Sequence, residues 1–358
     1  MPAHLRPTLN WLLVFIPISL VFEFAVHQPV ALFITACLAI VPLAGILSKA
    51  TEQLAIRSGP RVGGLLNATF GNVTEMIISV MLIIAGQFEV VKASLIGSIL
   101  GNLVLVLGAA LFAGGLRFKQ QRFSGRSAST HAASLLMAVT GLALPTVFVL
   151  AAPDTGLQRM VVSVGVAAIL IALYVANLVF SLVTHAHLFR STSVQGQAEA
   201  PSWSATRAVL VLLAAAVVVG IESEFLVSSL EPTVVALGIS KLFIGLFVVA
   251  IIGNAAEHAA AVMFALRNKL DISIEIAFGS STQIALFVAP ALVFVSLIVA
   301  RPMDFIFLPI EVVAVGLSTL IAAFMTMDGR SNWLEGMQLL GAYVIMAVSF
   351  FFVRGALG

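Results

Sequence analysis

Charge is scarce in this chain. Only 9% of its 358 residues are Asp, Glu, Lys or Arg, while 61% are hydrophobic and the mean hydropathy is +1.13. A soluble domain carries roughly 25% charged residues, so a water-soluble globular fold is excluded. The net charge of +2 comes from basic residues scattered over many short connections, which offers no continuous surface to nucleic acid, and none is expected as a partner. Cysteine is rarer still: Cys37 stands alone inside an apolar run, so there is no disulfide framework. Six histidines occur, none in the H-E-x-x-H spacing that sets two of them on one helical face, which argues against an intramembrane metalloenzyme built around Glu257 and His258. The first apolar run, from Leu9, is not followed by a small-residue cleavage site and a polar mature domain; it reads as a retained helix, not a signal peptide.

Long apolar segments are what the chain has in abundance. Between charged or Pro/Gly clusters they run about 17–25 residues, the length that crosses a hydrocarbon core of roughly 30 Å as a helix. A backbone in lipid must satisfy its own hydrogen bonds, so helices are expected throughout. An all-α polytopic membrane protein follows, with the lipid bilayer as its surroundings. Eleven helices are expected near residues 9–26, 29–50, 62–86, 90–115, 128–150, 157–186, 204–230, 238–267, 271–299, 304–327 and 333–354. With the N-terminus cytoplasmic, thirteen of the 18 basic residues fall inside and only Lys92, Arg159, Lys241, Arg301 and Arg354 outside. The positive-inside bias thus predicts N-in and C-out, in a bacterial-type inner membrane. The longest polar stretch, FRSTSVQGQAEAPSWS at 189–204, has no apolar period and reads as a cytoplasmic linker between halves.

The halves repeat. Shifting the second back by 182 residues superposes Gly71 on Gly253, Asn72 on Asn254, Glu75 on Glu257, Gly97 on Gly279 and Ser98 on Ser280. The expected division is an extra N-terminal helix over 1–28, a first five-helix repeat over 29–188, the linker over 189–203 and a second repeat over 204–358. Five is odd, so the copies enter the bilayer from opposite sides. Inverted repeats of this kind build secondary transporters whose sites lie near the midplane, where interrupted helices of both halves meet. The glycine before each Asn-x-x-Glu permits such an interruption.

Glu75 and Glu257 lie in otherwise apolar runs with no Lys or Arg at helical spacing to neutralise them. A carboxylate at the bilayer centre costs roughly 2.5–3.5 kcal/mol on insertion scales, so such residues face a partner or a cavity. A mobile cation or a proton is the natural counter-charge. Asn72, Ser98 and Asn102 from the first copy, with Asn254, Ser280 and Gln283 from the second, add neutral oxygens. Hard oxygens without a thiolate suit Ca²⁺ better than Zn²⁺ or Cu⁺, and two carboxylates neutralise one divalent ion. His258, beside Glu257, is a candidate proton relay. Glu222, Glu224 and Glu231, near the expected outer end of their helix, are candidate outer-mouth acids. Glu275 and Glu311 are read as structural, and Asn67, Thr69 and Thr74 as packing residues.

The paired motifs resemble the calcium/cation–proton exchanger family over nearly the whole chain. LLNATFGNVTEMIIS at 65–79 and GSILGN at 97–102 are similar to its first repeat, and IGLFVVAIIGNAAEHAAAV at 244–262 and IAFGSSTQIALFVAP at 276–290 to its second. The resemblance implies one extra helix followed by two inverted five-helix repeats. It also implies exchange of cytosolic Ca²⁺ for H⁺ at Glu75 and Glu257, with no resident cofactor. Sodium/calcium or manganese exchange on the same architecture is the alternative. Ala250 stands where the family usually has proline, and the acidic run often found between the halves is reduced to Glu199.

Overall fold

The computed structural model describes residues 9–152, 156–184 and 201–353. Most of the expected linker, with Glu199, lies outside the described residues. Among those described, ten helices are long and apolar enough to cross a membrane, and a bent pair makes an eleventh span. They are α1 (Leu9–Val26), α2 (Pro29–Gly59), α3 (Val62–Ile84), α4 (Phe88–Phe118), α5 (Gly125–Ala151), α6 (Gly156–Thr184) and α7 (Ala205–Leu237). Then follow α8 (Lys241–Gly253 and Ala255–Leu266), α9 (Leu270–Ile298), α10 (Pro309–Thr326) and α11 (Trp333–Phe352). The fold is the expected one: an extra helix, α1, and two inverted five-helix repeats, α2–α6 and α7–α11.

The repeats are interleaved. The counterparts α2 and α7 pack on each other; α4 lies against α11 and its counterpart α9 against α6; α5 pairs with its own counterpart α10. In lipid no hydrophobic drive pushes helices together, so close packing across small residues does that work. Gly97 of α4 shows it: a Cβ there would stand 2.6 Å from the Leu246 Cα of α8. Gly336 of α11 similarly lets the backbone of Phe112 approach, where a Cβ would be 2.6 Å from the Phe112 Cα. The outer surface is apolar, with Ile298, Leu157 and Val235 all exposed, as a lipid-facing surface requires.

Three departures from plain helices position the centre of the molecule. First, α3 is interrupted by a turn at Gly71–Asn72, and α8 breaks at Asn254 and bends by 64°. Both asparagines sit outside helical geometry, at φ −99°, ψ 23° and φ −103°, ψ 6°. Ala250 therefore does not cost the chain its break; the backbone instead widens into a π-helical stretch at Gly245–Val249 just before it. Second, α4 and α9 each contain a π-helical stretch, Gly101–Val106 and Ile284–Val288, at equivalent places in the two repeats. Third, residues 301–308, expected to be partly helical, form an extended strap before α10. Met303, Phe305 and Phe307 plug into the bundle, and their amides donate to the hydroxyls of Ser296, Ser163 and Thr146. Lys92 of α4 grips the strap through Asp304 at 2.6 Å and the Ile306 carbonyl at 2.8 Å.

Helix ends differ from expectation by up to nine residues; α2, expected to stop near residue 50, runs on to Gly59, whose φ of +78° ends it. At the same end of the bundle, Trp203 anchors the start of α7. Its amide donates to Gln53 of α2, its carbonyl accepts from Arg57, and its ring lies under Lys49 and Arg207. A Trp ringed by cations is the composition of a membrane–water interface.

Candidate cation-binding site

The helix breaks bring the two Asn-x-x-Glu segments together. Each helix resumes just after its asparagine, so Glu75 and Glu257 both sit in a first helical turn, where unpaired amides favour negative charge. Glu75 Oε1 accepts from the Asn254 side-chain amide at 2.5 Å and from the Ser98 hydroxyl. The same amide lies 3.0 Å from Ser98 Oγ and 3.0 Å from the Ala250 carbonyl exposed by the break. On the other half, Ser280 donates to Glu257, and its hydroxyl lies 3.4 Å from Asn72 Oδ1. Asn72 in turn donates to Gln283 Oε1 at 2.8 Å.

The arrangement is cross-wired. The asparagine one turn before each glutamate bonds to the other repeat, so Glu75, Asn254 and Ser98 interlock with Glu257, Ser280, Asn72 and Gln283. Gly253 lets Glu75 in: a Cβ there would stand 2.8 Å from Glu75 Cγ. The pairing is not symmetric. Glu75 accepts from Asn254, whereas Asn72 turns its amide to Gln283 and presents an oxygen to Ser280. Glu75 is buried, yet its Oε2 has no hydrogen-bond partner among the described residues, while Glu257 is partly exposed. One carboxylate oxygen is thus left unbonded within a cluster of amide and hydroxyl groups.

All eight residues expected at the site lie in or beside this network. His258 is not bonded to either glutamate; its Nε2 donates to Asn102 Oδ1 at 3.1 Å, linking α8 to the π-helical stretch of α4. That pair has no counterpart, since the equivalent positions are Met76 and Ile284. Thr69 bonds back to its own helix, as a packing residue does. Among the described residues no three His, Cys, Asp or Glu side chains cluster in a way that could hold a metal ion.

The expected outer-mouth acids separate. Glu222 does not line a mouth: it is 1% exposed, midway along α7, and accepts from Ser19 of the extra helix at 2.8 Å. The expected end of α7 fell seven residues short, which is why it looked terminal. Glu224 lies on the exposed face of the same helix. Glu231 is near the helix end and is tied to Lys241 at 2.6 Å and Gln87 at 3.0 Å. Glu311 caps α10 by accepting from the Leu308 amide, a structural use. The Lys92–Asp304 pair had no signal in the sequence beyond a lone lysine near a helix start, because its partner lies 212 residues away.

Paired motifs at broken helices of two inverted repeats define an inverted-repeat membrane transporter. The chain belongs to the sodium/calcium exchanger protein family, whose model matches residues 28–183 and 207–352. It is 44% identical over 355 residues to a Ca(2+)/H(+) antiporter of Aphanothece halophytica, covering 95% of each protein. It is also 44% identical over 340 residues to the Ca(2+)/H(+) antiporter ChaA of Bacillus subtilis (strain 168), covering 94% of this chain and 96% of that one. The solved structure of native YfkE superposes with a TM-score of 0.84 at 39% identity, over 97% of this chain and all of the other. The crystal structure of the H+/Ca2+ exchanger CAX, at 16% identity and a TM-score of 0.72 over 96% of this chain and 90% of that one, shares the fold.

Proposed function

We propose that the protein is a secondary active transporter, not an enzyme, that exchanges cytosolic Ca²⁺ for external H⁺ by alternating access. The observation that carries the reading is the cross-repeat network: each glutamate sits one turn from an asparagine that bonds into the other half. Relatives named Ca(2+)/H(+) antiporters over nearly their full length support the choice of substrates. Glu75 and Glu257 hold either one Ca²⁺ or protons. Ser98, Ser280, Asn72, Asn254, Asn102 and Gln283 orient the carboxylates or supply oxygens, and His258 holds Asn102 in place.

The chemistry follows from charge. Two carboxylates neutralise one divalent ion, and two protons neutralise the same pair, so both loaded states cross a low-dielectric barrier without net charge at the site. The empty, ionised site does not, which couples the two fluxes. Alternating access needs elements that rock against each other; the interleaved repeats and their broken helices are built for it. The linker end of the bundle is read as cytoplasmic, in a plasma-membrane-type bilayer, with the basic residues as support.

The experiment is Ca²⁺ uptake into everted membrane vesicles, with and without an imposed pH gradient, acid inside. Uptake is expected to need the gradient and to collapse on adding a protonophore. A sodium/calcium exchanger, the reading that the family's name keeps open, would instead follow a Na⁺ gradient and ignore the protonophore. Flux that follows neither gradient defeats the antiport reading.

A further inference from the structure

Glu75 also lines a chamber that the repeat motifs do not account for. It is a cavity of about 10 Å³, lined by Glu75, Ser79, Ser94 and Ser98 on one side and by Ile78, Leu95, Val249 and Ala250 on the other. That is room for the centre of one water-sized guest. Every wall lies one helical turn from the glutamate toward the same end of the bundle, the end opposite the linker. Ser79 follows Glu75 on α3, Ser94 precedes Ser98 on α4, and Ala250 precedes Asn254 on α8. The polar lining is buried: Ser79, Ser94 and Ser98 are 3%, 6% and 2% exposed.

The polar atoms are free to bind. Glu75 Oε2 is buried without a partner among the described residues. Ser94 spends its proton on the Val91 carbonyl, leaving its lone pairs unused. Ser98 spends its proton on Glu75 Oε1 and accepts once, from Asn254, so one lone pair remains. Ser79 makes no hydrogen bond among the described residues. No N–H donor and no cationic side chain lines the chamber, so it favours a cation over an anion. It offers a hard cation the Glu75 carboxylate and three hydroxyls. The second repeat does not reproduce this lining: at the positions equivalent to Ser79 and Ser94 it carries Ala261 and Ile276.

We propose that this chamber is a transit subsite for the transported divalent cation, on the outer side of the site it shares with Glu257. Four oxygens are fewer than the six to eight that Ca²⁺ takes when held firmly. The subsite is therefore weak, which suits a last stop before release: conduction requires binding good enough to enter and poor enough to leave. The asymmetry gives it a direction. Ions arriving from the linker end reach Glu257, which is partly exposed, without meeting Ser79 or Ser94. Ions exchanging with the outer side pass them.

The proposal rests on the Ca²⁺/H⁺ reading above, and the test separates the two. Ser79→Ala and Ser94→Ala, singly and together, are assayed in both vesicle orientations. Everted vesicles present Ca²⁺ to the cytoplasmic face, and right-side-out vesicles loaded with acidic buffer present it to the outer face. The double variant is expected to raise the outer-face KM for Ca²⁺ about tenfold and to leave the cytoplasmic-face KM within twofold. An unchanged outer-face KM overturns the subsite and leaves a cavity that holds water only. Equal rises on both faces overturn it too, because they mark a packing change felt by the shared site. If the unsubstituted protein shows no proton-driven flux in either orientation, the functional reading itself has failed.

Discussion

A single carboxylate in an apolar run is the most legible event in a membrane sequence, because lipid makes every such residue expensive. Glu75 and Glu257 stood out for that reason, and their matched asparagines and serines were readable through the 182-residue offset. Replacing either with Gln keeps shape and hydrogen bonding but removes half of the charge that neutralises Ca²⁺. Glu75→Gln and Glu257→Gln are each expected to lower proton-driven Ca²⁺ uptake by on the order of 100-fold or more, with protein levels in the membrane near normal. Coupled flux surviving in both variants would remove them from the site. Gly253 supplies a subtler test, since an added Cβ would meet Glu75 Cγ at 2.8 Å while one at Gly279 would meet nothing within 4 Å. Gly253→Ala is expected to weaken Ca²⁺ affinity about tenfold, the size of a displaced charged ligand, and Gly279→Ala to leave it unchanged. Equal affinity in the two proteins refutes the idea that Gly253 seats Glu75. The His258–Asn102 bond shows where sequence reading stops: no spacing links residues 156 apart, and the repeat gives no hint because Met76 and Ile284 occupy the matching places.

At the scale of elements, hydropathy gave the number and order of the helices but not their irregularities. A π-helical stretch leaves no mark on composition, yet one follows the site segment in each repeat, Gly101–Val106 after Ser98 and Ile284–Val288 after Gln283. Each shifts the register of backbone bonding beside a ligand, a common position for such stretches at functional sites. Residues 304–308 of the strap, expected to open the helix over 304–327, are not helical: Phe305 and Phe307 look like the start of an apolar span. The strap's amides are satisfied by hydroxyls of three helices, the condition for extended backbone inside a bundle. The Lys92–Asp304 pair that fastens it is 18% and 24% exposed. Asp304→Asn leaves the lysine with the Ile306 carbonyl but without its counter-charge and is expected to cost about 1–2 kcal/mol, less than a fully buried pair because water reaches both groups. Thermal unfolding in detergent should show the loss as a midpoint several degrees lower. The double variant Lys92→Met, Asp304→Leu should recover most of it. A single variant as stable as the unsubstituted protein would mean that the hydroxyl bonds alone hold the strap.

Over the whole molecule, the interleaved repeats make one site out of two halves, so whatever binds there is felt by both. Under the proposed exchange, protons and Ca²⁺ compete for the same two carboxylates. A bound divalent cation favours the ionised carboxylates and a proton removes the charge that holds the cation, so Ca²⁺ binding must release protons. The sign is fixed: as pH falls, more of the pair is protonated, ions must be displaced before Ca²⁺ enters, and apparent affinity weakens; as pH rises the effect saturates once both groups are ionised. A slope near two decades of Kd per pH unit is the limit for two protons released together, and about one decade marks a single proton per ion. The same linkage makes the acidic side of the membrane the release side, which gives the transport direction without any further device. Equilibrium Ca²⁺ binding to purified protein, measured across pH at fixed ionic strength together with the protons released, reads slope and stoichiometry at once. In Glu75→Gln or Glu257→Gln only one titrating group is left, and residual binding should follow pH with a slope no steeper than one decade per unit. Affinity flat with pH, with no proton release on adding Ca²⁺, would leave the fold standing and remove the antiport mechanism from it.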